Sequence, residues 1–526
     1  MKNLTWCAAL LSLSALMGCP MIREPEPELP KEDADAGAPV SDAGQEAERD
    51  AGFAERDAGR VEPDAGTAAD DAGTDGGIDA GVDAGSDAGD DAGVDAGIDA
   101  GVIDAGLILP SAAVLYPGDR TQSPIDAVVG QHLRDIAARG AGTATVLSKV
   151  GDSISSGGPG IAGGNFLNCF DGLLEGTVSW ETNIRLAGFS ALAPTIDYFK
   201  TPRIANDDSW TRSSLAARIS MTAGWAIGGS PSPLEQELAA ATPRYAVVMY
   251  GSNDIGGGDP YPLADRAERF EKNMRILTDQ LTARGVIPLL TTMPPDGDFF
   301  RYVPVFSGVV RGIAQGRQVP LIDFYRELMA LGPPYGLGND HVHPTCLAFN
   351  KCCWFDQPGL THGYNVRNLI TLQALDRMRR LFALDETSFD PGAPRMPGDG
   401  STASPYVISQ VPFGELRDLR TSAWRPTGSL SCTGAPAVSG PQNLYRLVLS
   451  RPTSLRVLVV DGGARGQRVS LLSGPTLSTC LKSDQRLIST SLAAGTYYLS
   501  VNAPATNGGA EYNLSVTECL PGDPDC

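Results

Sequence analysis

Between residues 130 and 384 the apolar pattern switches repeatedly between two periods, and this alternation restricts the fold more than any other feature of the chain. Four short runs, 143–150, 245–250, 286–293 and 319–324, are apolar almost throughout, as strands buried on both faces require. The stretch 262–284 instead places Leu263, Ala267, Phe270, Met274, Leu277 and Leu281 three or four residues apart, which is one face of a helix. A second helix is read at 364–384. Strands separated by helices predict a parallel α/β sheet with right-handed crossovers. In such sheets ligands sit beyond the carboxyl ends of the strands, so the residues that follow each run are the place to look for chemistry.

Three polar blocks stand there. The first run leads into Gly151-Asp152-Ser153, the second into Gly251-Ser252-Asn253-Asp254, and the stretch after the last contains Asp340-His341-Val342-His343-Pro344. Together they supply what a serine ester hydrolase needs: a hydroxyl, an imidazole to deprotonate it, a carboxylate to orient the imidazole, and neutral donors for an oxyanion. The chain has four histidines, His132, His341, His343 and His362, and two of them fall in this one block. Taken singly, Ser153 and Asn253 read as turn residues and His343 as a surface histidine. Their order, each behind a predicted strand, is what favours an enzyme. Gly151-Asp152-Ser153-Ile154-Ser155 lacks the closing glycine of the Gly-x-Ser-x-Gly elbow, and the glycines at 157–164 are not followed by the Gly-Lys-Ser/Thr of a phosphate loop.

These blocks resemble those of the SGNH (GDSL-type) hydrolases. The resemblance implies a flavodoxin-like three-layer α/β/α sandwich with Ser153 as nucleophile, His343 as base and Asp340 as the acid that orients it. It implies an oxyanion hole formed by the backbone N–H of Ser153, the side-chain amide of Asn253 and the N–H of a glycine. Gly224, in Thr222-Ala223-Gly224-Trp225, is the best match for that glycine, with Gly228 and Gly188 as alternatives. The family commonly carries a small residue where His341 stands, which makes His341 a rival base. Asp340 directly precedes His341 and is poorly placed to orient it, so His343 is preferred. No metal and no organic cofactor is called for.

The ends of the chain set its context. Of 62 acidic and 41 basic residues, 25 acids and five bases lie in 23–106, leaving the rest nearly neutral. That tract repeats Asp-Ala-Gly from Asp35 and, between Asp79 and Asp99, does so every four residues. With almost no large apolar side chains it cannot bury enough surface to fold, and it reads as a disordered, self-repelling spacer with an end-to-end distance of roughly 50 Å. It lacks the Gly-Gly-x-Gly-x-Asp period of calcium-binding β-helices. Neither the tract nor the remainder offers the basic face of a nucleic-acid binder. Ahead of it, Lys2, an apolar run from Leu4 to Met17, and Leu16-Met17-Gly18-Cys19 resemble a bacterial lipoprotein signal with Cys19 as the lipidated residue. The expected location is the cell envelope, on the outer membrane or cell surface, with the membrane engaged through the lipid anchor. Eight further cysteines, Cys169, Cys346, Cys352, Cys353, Cys432, Cys480, Cys519 and Cys526, are an even number in an exported chain and read as disulfides of open connectivity. Zinc binding by the Cys346, Cys352, Cys353 group with nearby histidines is the disfavoured alternative.

Beyond a Pro-, Gly- and Ser-rich stretch at 388–405, short alternating runs at 445–449, 455–460, 469–472, 497–501 and 512–516 predict an all-β sandwich. The runs 492–501 and 509–514 resemble the bacterial pre-peptidase C-terminal domain. Tyr497, Tyr498 and Tyr512 read as packing aromatics in preference to a glycan-binding face. The expected organisation is a signal peptide (1–18), acidic linker (19–106), hydrolase domain (107–387), linker (388–405) and β-sandwich domain (406–526). The expected activity is hydrolysis of short acyl esters, of an O-acetylated carbohydrate or a lipid, by a monomer. The alternative is an inactive relative that serves as a glycan- or protein-binding surface module. The loops 165–195 and 296–305 are expected to shape the pocket.

Overall fold

The computed structural model describes residues 113–526 apart from 157–165, 177–181, 205, 257–260, 427, 433–436, 439, 464–465, 505–507 and 524–525. The signal segment, Cys19 and the acidic repeat lie outside the described residues. In chain order the strands of the first half are β1 (Thr143–Gly151), β2 (Leu173–Leu174), β3 (Thr182–Arg185), β4 (Pro243–Met249), β5 (Ile287–Thr291), β6 (Leu321–Ile322) and β7 (Cys353–Trp354). The helices are α1 (Ala127–Ala137), α2 (Ala193–Tyr198), α3 (Ala223–Ile227), α4 (Pro233–Ala241), α5 (Leu263–Ala283), α6 (Val303–Arg317), α7 (Phe324–Leu331) and α8 (Gly363–Ala383).

The central sheet is parallel, with strand order β1-β4-β5-β6. Beyond β1, the chain at Ala217 bridges Gly151 in parallel, with the Gly151 N–H donating to Ala216 O at 3.1 Å and the Arg218 N–H to Gly151 O at 3.0 Å. Counting that segment as an edge strand gives the flavodoxin-like order of second, first, third, fourth, fifth. The strands are enclosed: Val150, Tyr245, Val248, Leu289, Leu290 and Ile322 are fully buried. α5 pairs with α3 and α6, and α8 with α2 and α7, so two helical groups cover the sheet. α5 buries Ala267, Phe270, Met274, Leu277 and Leu281, the stripe anticipated from spacing. β6 is shorter than the run 319–324, because Asp323 caps α7 by accepting from the Arg326 N–H and the chain turns into helix at Phe324. The expected loop 296–305 ends early for a similar reason, since α6 begins at Val303.

Among the described residues the second half is antiparallel but for one pair. Its strands are β8 (Tyr406–Ile408), β9 (Phe413–Asp418), β10 (Gly428–Ser429), β11 (Ala437–Val438), β12 (Gln442–Leu449), β13 (Thr453–Val460), β14 (Arg468–Leu472), β15 (Cys480–Asp484), β16 (Leu487–Leu492), β17 (Gly495–Asn502) and β18 (Glu511–Glu518). They form a five-stranded sheet, β15-β14-β17-β12-β8, facing a four-stranded sheet, β16-β13-β18-β9, with β10 and β11 as a separate pair. β8 runs parallel to its neighbour, β12. Leu447, Leu455, Val457, Leu499, Leu514 and Val516 fill the space between the sheets. Tyr512 belongs to this core, its hydroxyl hydrogen-bonded to Asn443 Nδ2 and paired with the Tyr445 hydroxyl, while Tyr497 is half-buried at its margin and Tyr498 half-buried against a separate cluster of Leu430, Val438, Leu444 and Leu472.

The α/β and β parts belong to one compact unit. α6 lies on β9 and β18, and α5 on β13. The stretch 388–405 runs along the seam, with the Phe389 N–H bonded to Ile125 O, Asp390 paired with Arg377 and Arg120, and Arg395 with Asp126. All eight expected cysteines form disulfides: Cys169–Cys353, Cys346–Cys352, Cys432–Cys480 and Cys519–Cys526. Cys346, Cys352 and Cys353 therefore offer no free thiolate for zinc. Four disulfides place the protein in an oxidising, extracytoplasmic setting. Among the described residues no helix is long and apolar enough to cross a membrane.

Candidate active site

β1 and β4 end side by side, and the turns that follow them build the site. After Gly151 the chain makes a tight turn around Asp152, whose Oδ1 accepts from the Ile154 N–H at 3.0 Å while its carbonyl accepts from the N–H groups of Ser155 and Ser156. This presents Ser153 at the sheet edge, half-buried. α8 fastens the turn from outside: the fully buried Arg367 donates to Ile154 O at 2.5 Å and to Ser155 Oγ at 2.8 Å, and the Tyr364 hydroxyl donates to Ile154 O at 3.3 Å. The Arg367 guanidinium rests 3.6 Å over the Phe166 ring. Burial brings its pKa down to about 10. The only sequence signal for this residue is an arginine in a helix that is otherwise largely buried.

The loop before α8 carries Asp340 and His343. His343 Nε2 lies 2.9 Å from Ser153 Oγ, and His343 Nδ1 lies 2.7 Å from Asp340 Oδ2. Asp340 Oδ1 accepts from the N–H groups of Val342 at 3.1 Å and His343 at 3.0 Å, so the three-residue spacing folds the carboxylate back onto its own loop. Partial burial works to raise the Asp340 carboxyl, but the two N–H groups and the imidazole outweigh it and hold the pKa below the usual aspartate value. With Nδ1–H donating to Asp340, Nε2 is the nitrogen that accepts from the Ser153 hydroxyl. His341 does not share this arrangement. It is exposed, has a φ of 56°, and gives its carbonyl to the Gly297 N–H at 2.9 Å.

The turn after β4 meets the segment leading into α3. Asn253 Nδ2 donates to Met221 O at 3.2 Å, and both Asp254 oxygens lie 3.2 Å from the Ala223 N–H. Gly224 is the second residue of α3, a position at which the N–H has no acceptor within the helix. Gly228 closes the same helix and spends its N–H on Trp225 O, and Gly188 sits in the 3₁₀ turn Ala187–Leu192. The structure thus joins Ser153, His343 and Asp340 directly, and joins the Asn253-Asp254 turn to the Gly224 segment, Asn253 at Met221 and Asp254 at Ala223.

Two further acids lie beneath. Burial pushes Asp152 up to about 6 and Asp254 up to about 7, each carboxyl also raised or offset by its neighbours: Arg367 lowers Asp152, and the charge of Asp152 raises Asp254. An unfolded aspartate titrates near 4, so between there and these values the folded chain holds the extra proton. Their contribution to stability is complete at low pH and is lost as pH rises through about 6 to 7. Asp152→Asn keeps the acceptor for the Ile154 N–H and removes the charge. Its melting temperature relative to the unsubstituted chain is therefore expected to be higher at about pH 8 than at about pH 4.5; an equal difference at both, by calorimetry, contradicts this.

Two disulfides brace the rim. Cys346–Cys352 closes the loop just after His343, and Cys169–Cys353 ties that loop to the segment after β1, where β2, β3 and β7 form a small parallel sheet. Trp354 is held between Arg185, 3.7 Å from its ring centre, and Lys351, at 4.2 Å. Phe349, at the tip of the closed loop, is 88% exposed.

Residues 200–346 match the family described as GDSL-like Lipase/Acylhydrolase, a span that includes Asn253, Asp340 and His343 and stops short of Ser153. Similar solved structures include a catalytic mutant of an acetylxylan esterase from Geobacillus stearothermophilus (16% identity over 45% of this chain and 95% of that one, TM-score 0.28). A psychrotrophic esterase from Pseudoalteromonas sp. is also 16% identical, over 46% of this chain and all of that one, with a TM-score of 0.27. The pre-peptidase C-terminal domain of a collagenase from Bacillus anthracis is 16% identical over 21% of this chain and 92% of that one, with a TM-score of 0.16. No curated protein matches the chain in sequence.

Proposed function

We propose that the chain is an exported serine acyl esterase. The observation that carries this reading is the hydrogen-bonded series Ser153 Oγ, His343 Nε2, His343 Nδ1 and Asp340 Oδ2 at the carboxyl end of a parallel sheet. The family match over 200–346 supports it. Ser153 Oγ attacks the ester carbonyl as His343 Nε2 takes its proton. Asp340 stabilises the imidazolium. The proton then passes to the leaving alkoxide, and a water activated by the same imidazole releases the acyl group. Charge on the carbonyl oxygen is met by the N–H groups of Ser153 and Gly224 and by Asn253 Nδ2, which has one N–H on Met221 O and a second to offer.

The substrate class we favour is a short acyl ester, such as an acetyl group on a carbohydrate or a lipid ester. Export is supported by the four disulfides, and Cys19 is the proposed point of lipid anchoring, with the acidic repeat as spacer. A fluorophosphonate probe tests the activity on the full chain. The expected result is one labelled peptide, the one containing Ser153, and no labelling of Ser153→Ala; a chain that stays unlabelled and retains glycan binding supports a binding module instead.

A further inference from the structure

We infer that the C-terminal β layer holds the acid–base loop of this proposed esterase in register, with Arg456 as the positioning residue. Arg456, on β13, is 2% exposed. Its Nη1 donates to Arg301 O at 2.9 Å and pairs with Asp523 Oδ2 at 2.6 Å, and its guanidinium lies 5.4 Å from the centre of the Tyr302 ring. Asp523 sits in the last turn of the chain, which Cys519–Cys526 closes. A side chain of the β layer therefore grips the backbone of the segment that leads into α6.

That segment reaches the triad loop. It opens at Asp296, whose Oδ1 accepts from the N–H groups of Asp298 at 3.2 Å and Phe299 at 3.4 Å, and between them the Gly297 N–H donates to His341 O at 2.9 Å. Gly297 lies against His341 so closely that an added Cβ would be 2.5 Å from the His341 Cβ. Phe300 stacks on Tyr335 with ring centres 5.2 Å apart, and from the same side the Gly338 N–H donates to His343 O at 2.8 Å. His341 directly follows Asp340 and is separated from His343 by Val342 alone. The path from sandwich to triad thus runs from Arg456 to Arg301 O, along 301–297, and from the Gly297 N–H to the His341 carbonyl.

Proton transfer from Ser153 depends on this loop to within a fraction of an ångström, and a misplacement of about 1 Å costs about a hundredfold. A β layer that only added stability would leave kcat unchanged when this grip is released. The test uses the full chain carrying Arg456→Gln together with Asp523→Asn, so that no buried carboxylate is left unpaired. Glu511→Gln is the control: Glu511 bonds Arg317 and pairs with Arg275 in the same interface, away from the 296–302 segment. The expected result for the double variant is a fall in kcat of roughly tenfold or more with KM within about twofold, and a shifted or broadened proton resonance for His343 Nδ1–H. Glu511→Gln is expected to lower the melting temperature and leave kcat and the resonance unchanged. An unchanged kcat and resonance in the folded double variant overturn the inference, as does an equal loss of kcat in the control at equal loss of melting temperature. If the unsubstituted chain turns over no ester, the esterase reading fails and the resonance alone decides: unchanged in the double variant, it overturns the inference.

Discussion

Alanine at Ser153 or at His343 is expected to lower kcat for a short acyl ester by roughly a millionfold, and asparagine at Asp340 by about 10⁴-fold. The first two losses should be alike because nucleophile and base act as a unit: with either gone, no alkoxide forms at neutral pH. Asp340→Asn leaves the chain's shape intact, but an amide that presents its NH₂ to Nδ1 favours the tautomer with the proton on Nε2, which can no longer accept from Ser153. His341 is the informative comparison, since it is the other imidazole of the block. Its side chain is exposed and its part in the site is played by its carbonyl, which accepts from Gly297. His341→Asn preserves that backbone role at a φ of 56°, which asparagine tolerates. It should cost no more than about threefold, under 1 kcal/mol of barrier. Steady-state hydrolysis of a chromogenic butyrate by the four variants checks the assignment; if His341→Asn loses as much as His343→Ala, the base has been misassigned.

The blocks that follow β1 and β4 and the loop before α8 were legible because parallel strands place chemistry where they end, so Ser153, Asn253 and Asp340 to His343 could be found by looking there. Less was legible where backbone groups or distant pairing are involved. Gly224 stood among three candidates, and its segment is the one that Asn253 reaches at Met221 and Asp254 at Ala223. Arg367, which fastens the Ser153 turn, carries no motif. The disulfide partners follow from which loops meet, and Cys352 and Cys353, adjacent in sequence, pair with residues six and 184 positions away. The attachment of the β layer was concealed by a pattern with two meanings. The alternation Tyr512-Asn513-Leu514-Ser515-Val516-Thr517 reads as a strand with one wet face, yet Asn513, Ser515 and Thr517 are buried to within 2% because α6 covers them. Polar residues can face a helix when the helix brings its backbone close enough to bond them, as Asn513 Nδ2 does in donating to Val309 O at 2.9 Å.

What permits that approach is a stripe of glycines on α6, Gly308, Gly312 and Gly316, with Gly414 of β9 set against the first two and Leu416 against the third, and valine at Gly414 is expected to destabilise the chain at or beyond the ~3 kcal/mol upper end of ordinary overpacking. A Cβ at Gly414 would stand 2.5 Å from Gly308 O and 2.8 Å from Gly312 N, both backbone atoms of a packed helix that cannot swing aside. At Gly312 a Cβ would meet Asn513 Oδ1 at 2.4 Å and Nδ2 at 2.7 Å, the end of a side chain that can move but only by releasing Val309 O. Two effects oppose each other in Gly312→Ala: helix propensity gains about 1 kcal/mol, and a buried amide left without its partner loses about 1 to 3 kcal/mol. The sum should still be destabilising, though by less than Gly414→Val. Gly188→Ala, where nothing lies within 4 Å of the new Cβ, serves as the reference and should change stability by no more than about 0.5 kcal/mol. Denaturant unfolding of the three variants gives the ranking. If Gly414→Val is as stable as Gly188→Ala, the β layer does not rest on α6 as described, and the path from Arg456 to the triad loop loses its anchor.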